Sequence, residues 1–400
     1  MNVFRAFADR GRRAAVGVWR HPARRAVTPT GWALVAGGGL AAVVGWGRGW
    51  LEFRVLALMA AVVLLAACAS VLRRRQHVAV LELHQPRVQA GETALGRVLV
   101  TAEGGRSAGP TTMELPVGKV TAAFRVGTLR PGDEHEEMFS IPTKRRGVVP
   151  VGPVRSVQAD PVGAISRQKL LTAPLELYIH PRLVQVDAAA IGVLKDIEGI
   201  TTAQLSSSDV SFHALREYVP GDDRRAVHWR TTARMGKLMV RQFEETLRAH
   251  LLLLLSTRTG DYDSEDSFER AVSVAGSLGV AALRAEHQVS VLTSTGELRF
   301  PHAQGLLDRL SGVELGAQGR QLRELAIAGG GISGISVAAL VTGTTPPATL
   351  RGAQLSLPPD VRTFAVRTGA GELARRQTGE LTVLDVARLG DLAVAVRSLT

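Results

Sequence analysis

Two apolar segments bracketed by arginine constrain this chain more than any other feature. Residues 55–72 contain no charged side chain, and as a helix they would span about 27 Å, close to the hydrocarbon thickness of a bilayer. A shorter apolar stretch, 32–47, precedes them, with Trp32 and Trp46 near its two ends as in an aromatic belt. Because only seven residues separate the two stretches, the pattern predicts a transmembrane helical hairpin.

The arginine distribution predicts the topology of this hairpin. Residues 1–75 contain twelve Arg and two acidic residues, so they hold +10 of the formal net charge of +12. Seven of these Arg precede the first segment, and three follow the second at 73–75. The positive-inside rule therefore predicts a multi-pass cell-membrane protein with both termini in the cytoplasm. The rest of the chain is nearly neutral, which does not favour nucleic-acid binding.

Small residues within the hairpin have more than one interpretation. Glycines 37–39 and the pair Ala57 and Ala61 would let the two helices approach closely, although an Ala/Gly-rich composition explains them equally well. The sequence ending at Cys68 resembles a bacterial lipid-attachment box, but the arginines after it would keep that end inside the cell. We interpret Cys68, the one cysteine, as a helix residue.

Residues 76–185 are predicted to form an all-β sandwich, immunoglobulin-like in architecture. Apolar and polar residues alternate in short runs separated by Gly- and Pro-containing turns, which is typical of antiparallel sheets. No catalytic grouping is evident in this region, and the basic stretch 143–147 is interpreted as a solvated hairpin. The predicted strands include 78–83, 98–100, 122–126 and 175–179.

The stretch 209–244 is unusually rich in charge. Pro220 and Gly221 suit the central positions of a type II turn. Either of the two Asp that follow can cap a helix, and Gly236 can end it. The predicted order is a turn at 220–221, a helix from 222 or 223 through Arg234, and a strand at 238–240.

Two interpretations of this stretch remain open, and they can coexist. In the first it is an interdomain clamp, because many guanidinium groups beside carboxylates usually satisfy one another. In the second some of these groups are presented to an acidic protein partner. The clamp would pair Arg216, Arg225 and Arg234 with Glu217, Asp222 and Asp223.

This stretch resembles the signature of the bacterial domain of unknown function 58 family. Matches elsewhere are the R-R-G hairpin at 143–147, the D-P-V-G turn at 160–163 and the paired N-terminal helices, so the resemblance covers nearly the whole chain. It implies a C-terminal half similar to the von Willebrand factor type A fold and a MoxR-type AAA ATPase as partner. The matching residues are Arg216, Tyr218, Pro220, Gly221, Asp222, Arg225, Trp229, Ala233, Arg234 and Phe243.

Residues 246–400 read as a doubly wound α/β domain, in agreement with the type A resemblance. Short apolar runs expected of buried strands alternate with helical patterns. The predicted strands are 251–255, 289–292, 336–341 and 363–366, and the predicted helices are 267–284, 303–310, 320–328 and 389–399. The predicted domains are 1–75, with spans at about 32–47 and 55–72, then 76–185, the linking signature segment 186–245, and 246–400.

No catalytic, cofactor-binding or metal-ligating residues are predicted. The type A metal motif needs D-x-S-x-S after the first strand, whereas Ser256 stands in place of the Asp and Arg258 puts a cation in the loop. The acidic residues at 261–266 are interpreted as a solvated helix entry. The chain also lacks a G-x-x-x-x-G-K-[ST] phosphate loop and H-E-x-x-H spacing.

These observations favour a membrane-anchored, non-enzymatic adaptor or scaffold. The hairpin would fix it in the lipid bilayer, and the domains after residue 75 would present a cytoplasmic protein-binding surface. The alternative is a metal-dependent type A adhesion or binding module outside the cell, which would need the opposite topology and an intact metal loop.

Overall fold

A computed structural model describes residues 27–72, 77–102, 107–160, 162–191, 210–219, 227–245, 249–369 and 371–399. The chain divides into two units. The first unit takes in the chain up to Val88, Glu92–Pro142 and Val149–Leu177. The second takes in Gln89–Gly91, Thr143–Val148 and the chain from Tyr178 onward. The two short stretches of the second unit come from the region in which the sequence predicts the sandwich.

Two consecutive apolar helices open the first unit: α1, Pro29–Arg48, and α2, Leu51–Leu72. Both are long and apolar enough to cross a membrane, with mean hydropathies of 1.2 and 2.2. Thr28 caps α1, whose first residue is a proline, the residue best suited to that position. The link between the helices is Gly49 and Trp50 and not the seven residues expected. The reason is that α2 begins at Leu51, before the uncharged run 55–72, and includes Arg54.

The two helices approach closely at two glycines of α1. A Cβ on Gly38 would lie 2.9 Å from the Cβ of Ala60. A Cβ on Gly45 would lie 2.7 Å from the backbone nitrogen of Arg54. Arg54 also donates from Nε to the Gly45 carbonyl oxygen at 2.9 Å. Small residues therefore do permit close packing, but the alanine opposite Gly38 is Ala60 and not Ala57 or Ala61.

Two antiparallel sheets complete the first unit. One has the order β1-β3-β6, and in the other β4 pairs with β5 and β8, with β9 next to β8. Burial alternates along β3, where Val98 and Val100 are fully buried and Leu99 between them is more exposed. The four strands named from the sequence are present. The strands are β1 His77–Leu83, β2 Arg87–Gln89, β3 Thr93–Ala102, β4 Thr111–Val117, β5 Val120–Val126, β6 Glu134–Pro142, β7 Gly147–Val151, β8 Arg155–Ala159, β9 Ser166–Leu170 and β10 Leu175–His180.

The second unit contains a two-stranded hairpin followed by an α/β domain. The hairpin elements are β11 Val210–Glu217, α3 Trp229–Met235 and β12 Met239–Glu245. The α/β elements are β13 His250–Leu255, α4 Glu265–Arg284, β14 Gln288–Thr293, β15 Gly296–Leu298, α5 Ala303–Ser311, α6 Leu322–Gly330, β16 Ile335–Thr342, α7 Pro347–Gln354, β17 Arg362–Arg367, β18 Ala374–Thr378, β19 Leu381–Asp385 and α8 Leu392–Arg397.

The α/β domain is built on a seven-stranded sheet of order β15-β14-β13-β16-β17-β19-β18. The five inner strands are parallel and both edge strands are antiparallel. Every residue of the central strand β13 is buried, because α4, α5 and α8 contribute to the core on one face and α6 and α7 to the core on the other. The predicted doubly wound sheet is therefore confirmed.

Candidate docking surface and the carboxyl edge of the sheet

The signature stretch forms a β-hairpin that carries a short helix. β11 and β12 are antiparallel, with Glu217 opposite Met239 and a register shift between Phe212 and Ala214. Val227 forms a bridge with Val240, and the next residue donates its backbone N–H to the Met239 carbonyl at 2.8 Å. Val227 and His228, directly before α3, are therefore paired with β12.

The helix α3 begins later than the sequence suggests. His228 is its N-cap, and its Nδ1 accepts from the Thr231 backbone nitrogen at 3.3 Å. A cap at Asp222 or Asp223 is wrong for this helix, because Val227 forms a β-bridge and His228 is the N-cap, so that Trp229 is the first helical residue. The end is as predicted: Gly236 follows the last helical residue with φ of 67°, in the left-handed region that glycine adopts readily.

None of the residues of α3 is buried. Trp229 has 67% of its surface exposed, Met235 has 62%, and Leu238 just beyond the helix has 43%. Arg230 and Arg234 are also exposed and lie four residues apart, which places them on one helix face. We call these five residues the α3 surface.

Only part of the predicted signature set falls within the described residues. Trp229 and Arg234 lie on the α3 surface, and Tyr218 is half-buried, with its N–H donating to the Leu238 carbonyl at 2.8 Å. Arg216 lies in β11 opposite Val240. Glu217, one of the acidic residues of the proposed clamp, has its Oε1 3.3 Å from Nζ of Lys237. Ala233 lies in α3 and Phe243 in β12. Four further residues, Pro220, Gly221, Asp222 and Arg225, lie outside the described residues.

A buried arginine was missed by the sequence analysis. The side chain of Arg146 is 4% exposed, and its Nε lies 3.0 Å from Oε2 of Glu269. Its Nη1 donates to the Leu310 carbonyl at 2.8 Å, and its guanidinium lies 5.1 Å from the Phe268 ring centroid. The interpretation of 143–147 as a solvated hairpin is therefore wrong at this position, although neighbouring Arg145 remains exposed beside Glu265.

Burial and charge act against each other in this ion pair. Burial lowers the pKa of the Arg146 guanidinium, and the charge of Glu269 partly offsets this. Burial likewise raises the pKa of the Glu269 carboxyl above its ordinary value, against the attraction of Arg146. Because each group compensates the desolvation of the other, removing one leaves a poorly solvated charge. The pair thus fixes the 143–148 stretch within the second unit.

The loop after β13 lies where ligands bind in sheets of this kind. Ser256 is fully buried, and its Oγ donates to Oδ2 of Asp261 at 2.5 Å. The Tyr262 hydroxyl donates to the Ser256 carbonyl at 2.6 Å. The hydroxyls of Ser256 and Tyr262 are thus paired within the loop, whereas the buried Thr257 hydroxyl has no hydrogen-bond partner among the described residues. Asp261 is part of this internal network, so its interpretation as a solvated acid is wrong.

A cavity of about 120 Å³ opens at the carboxyl ends of β16, β17 and β19. Arg367 and Arg376 line it, and both contact Asp385: their Nε atoms lie 2.7 Å and 3.1 Å from its two carboxylate oxygens. Glu372 also lines the cavity, so acidic and basic side chains are equal in number among these four. Across the described ranges, no cluster of three or more His, Cys, Asp or Glu side chains is arranged to hold a metal ion.

Comparison with known structures adds little to this picture. The CARDB domain of a Pyrococcus furiosus protein aligns with 26% of this chain and 87% of its own, at 13% identity and a TM-score of 0.21. A mutant β-glucosidase from Listeria innocua, solved with laminaribiose, aligns with 27% of this chain and 16% of its own, at 10% identity and a TM-score of 0.20. Likenesses this low carry no argument about fold or activity.

Comparison with known sequences shows similarity to one family over part of the chain. An uncharacterized Bacillus subtilis protein, YeaD, is 29% identical over 131 residues, which are 31% of this chain and 30% of that protein. The aligned segment thus spans less than a third of the relative's length. The model of the family described as protein of unknown function DUF58 matches residues 214–311, from β11 through α5. The chain is therefore similar to the DUF58 family over this segment, which includes the α3 surface and the strand β13.

Proposed function

We propose that the chain is a membrane-anchored, non-enzymatic adaptor whose α3 surface docks an acidic partner protein in the cytoplasm. The observation that carries the proposal is α3 itself, a helix without a buried residue that exposes Trp229 between β11 and β12. Tryptophan and arginine are the side chains most enriched where proteins bind one another strongly. Arg230 and Arg234 favour a partner of negative charge.

The anchor in this proposal is the α1–α2 hairpin. The length and hydropathy of the hairpin support membrane anchoring, and the flanking arginines support a cytoplasmic position for the sandwich and the α/β domain. We further infer an immunoglobulin-like sandwich and a type A-like α/β domain. The type A-like domain is supported by the strand order. If β13 is numbered as strand 1 of the domain, the sheet begins at its antiparallel edge strand β15 with the order 3-2-1-4-5.

The partner in this proposal is a MoxR-type AAA ATPase, as the family resemblance implies. The proposal of a non-enzymatic role is supported by Ser256, whose buried hydroxyl is bonded to Asp261 and so offers substrate no access. The alternative of a metal-dependent adhesion module has less support, because a serine replaces the ligating aspartate of the loop.

Partner binding is tested with the full chain in nanodiscs and the MoxR-type ATPase of the same organism. We expect Trp229→Ala to weaken binding by about tenfold or more, measured by biolayer interferometry, since truncating a central aromatic residue usually costs at least this much. Leu355→Ala is the control, because Leu355 is 75% exposed at the end of α7, outside the α3 surface. Failure to bind the ATPase, with and without ATP, would remove this partner. Binding unaffected by Trp229→Ala would remove the surface.

Topology is tested with the single cysteine of the chain. In a Cys68→Ala background, Leu355→Cys provides one exposed thiol in the α/β domain. We expect a membrane-impermeant maleimide to label it only after the cells are permeabilised. Equal labelling of intact cells would place the domain outside and contradict the adaptor proposal.

A further inference from the structure

A turn of the sandwich that includes residues 160 and 162–165 is organised by one buried carboxylate. Asp160 is 4% exposed, and its Oδ2 accepts from the Val162 N–H at 3.0 Å. Its Oδ1 accepts from the Ile165 N–H at 2.6 Å. We call this segment the Asp160 turn. Its shape is set by the aspartate and not by packing of its tip, since Val162 is 52% exposed.

The Asp160 turn is bonded to the start of the first membrane helix. Thr28 donates from Oγ1 to the Gly163 carbonyl at 2.5 Å and from its backbone nitrogen to the Ala164 carbonyl at 3.0 Å. The same Oγ1 accepts from the Gly31 N–H at 3.1 Å and caps α1. A Cβ on Gly31 would lie 2.2 Å from the Ala164 carbonyl oxygen. Glycine is therefore needed for this close approach.

The length of α1 fixes the depth of the Asp160 turn. Twenty residues of helix span about 30 Å, the thickness of the hydrocarbon core. A membrane-crossing α1 therefore places Thr28, immediately before its first residue, at the boundary with the headgroups. Because the Asp160 turn is bonded to Thr28, it lies at the same level. Trp32, one turn into the helix, is 52% exposed and suits this interface.

The strand that leaves the Asp160 turn is basic. Arg167 and Lys169 are exposed on β9, which begins at Ser166 and pairs with β8 alone among the described strands. Residues 162–175 contain these two basic side chains and no acidic one. Anionic phospholipid headgroups of the cytoplasmic leaflet attract Lys and Arg held within a Debye length of the surface.

We propose that the Asp160 turn and β9 form a second contact with the bilayer, Val162 in the interface and Arg167 on anionic phospholipid headgroups. The proposal rests on the membrane anchoring proposed above. The contact gives the sandwich a defined orientation on the membrane, because hairpin and turn together hold it at two places.

Site-specific fluorescence tests the depth of Val162. In the Cys68→Ala background, Val162→Cys of the full chain is labelled with NBD and placed in nanodiscs of phosphatidylcholine and phosphatidylglycerol. Val120→Cys on β5 is the solvent control, and Val43→Cys in α1 reports insertion, since both valines are well exposed. We expect a headgroup-level nitroxide lipid to quench the label at 162 about twofold more than the label at 120. Equal quenching at 162 and 120, with Val43 quenched, overturns this contact alone. Absence of quenching by a tail-labelled lipid at Val43 overturns the anchoring as well.

Charge reversal tests the headgroup contact. We expect Arg167→Glu to reduce quenching at 162 in phosphatidylglycerol nanodiscs and to leave it unchanged in pure phosphatidylcholine. Arg125→Glu is the matched control, because Arg125 is exposed on β5. Equal quenching in the Arg167→Glu and Arg125→Glu proteins overturns the role of Arg167.

Discussion

The strand β13 and the helix α3 lie close together in the sequence but differ completely in burial. All six residues of β13 are buried between two layers of helices, whereas no residue of α3 is buried. Both lie within the segment that matches the DUF58 family. The apolar residues of β13 stabilise the sheet, and the tryptophan of α3 remains on the surface. The contrast teaches that apolar residues of this segment form the core in one element and remain exposed to solvent in the other.

The largest expected effect on stability is at β13. Leu253→Ala removes a fully buried side chain from the core shared with α4, and we expect it to lower the free energy of unfolding by about 3 kcal/mol. Chemical denaturation of the full chain in detergent, followed by circular dichroism, measures this. Leu355→Ala is the control, since it removes the same atoms from an exposed site. Equal effects of the two substitutions would mean that β13 is not the stabilising centre of the domain.

Arg146 sharpens the comparison, because it is a charged residue that is buried like the core residues of β13. We expect Arg146→Ala to lower the free energy of unfolding by about 2 kcal/mol, less than for a fully buried pair, since Glu269 is left without its cation but is 31% exposed. The matched control is Arg145→Ala, next in sequence and 62% exposed, for which we expect a much smaller change. Thermal unfolding of both variants measures the difference. Similar melting temperatures for the two variants would contradict the buried ion pair.

The smallest expected effect on stability is at Trp229. Truncating an exposed side chain usually changes stability by no more than about 0.5 kcal/mol, so Trp229→Ala is expected to unfold like the unaltered protein. The same thermal unfolding experiment measures this. A large loss of stability would show that Trp229 packs against another part of the chain, and the contrast with β13 would then break down.

Elements with a regular burial pattern could be predicted from the sequence. The two apolar N-terminal helices, β13 and α4 were found because each contains a continuous run or face of apolar residues. The strands β18 and β19 were missed. β18 is an edge strand with two exposed arginines, and β19 is short and alternates with polar residues, so neither has the apolar run of an inner strand.

The buried contacts of Arg146 could not be predicted. Its carbonyl partner Leu310 lies 164 residues further along the chain, and nothing in the local sequence distinguishes it from the exposed Arg145 beside it. Of the predicted signature residues, Trp229 and Arg234 lie exposed on α3, and their role in binding stays a prediction. The sequence could not tell that α3 begins at Trp229, because the bridge that delays the helix depends on pairing with Val240.

The turn between α1 and α2 consists of Gly49 and Trp50 alone. Under the proposed topology, this leaves the far side of the membrane with almost no polypeptide for an extracellular protease, antibody or signalling molecule to recognise. An external stimulus could then reach the interior domains only by altering the bilayer itself, through its thickness or the tilt that it imposes on the two helices.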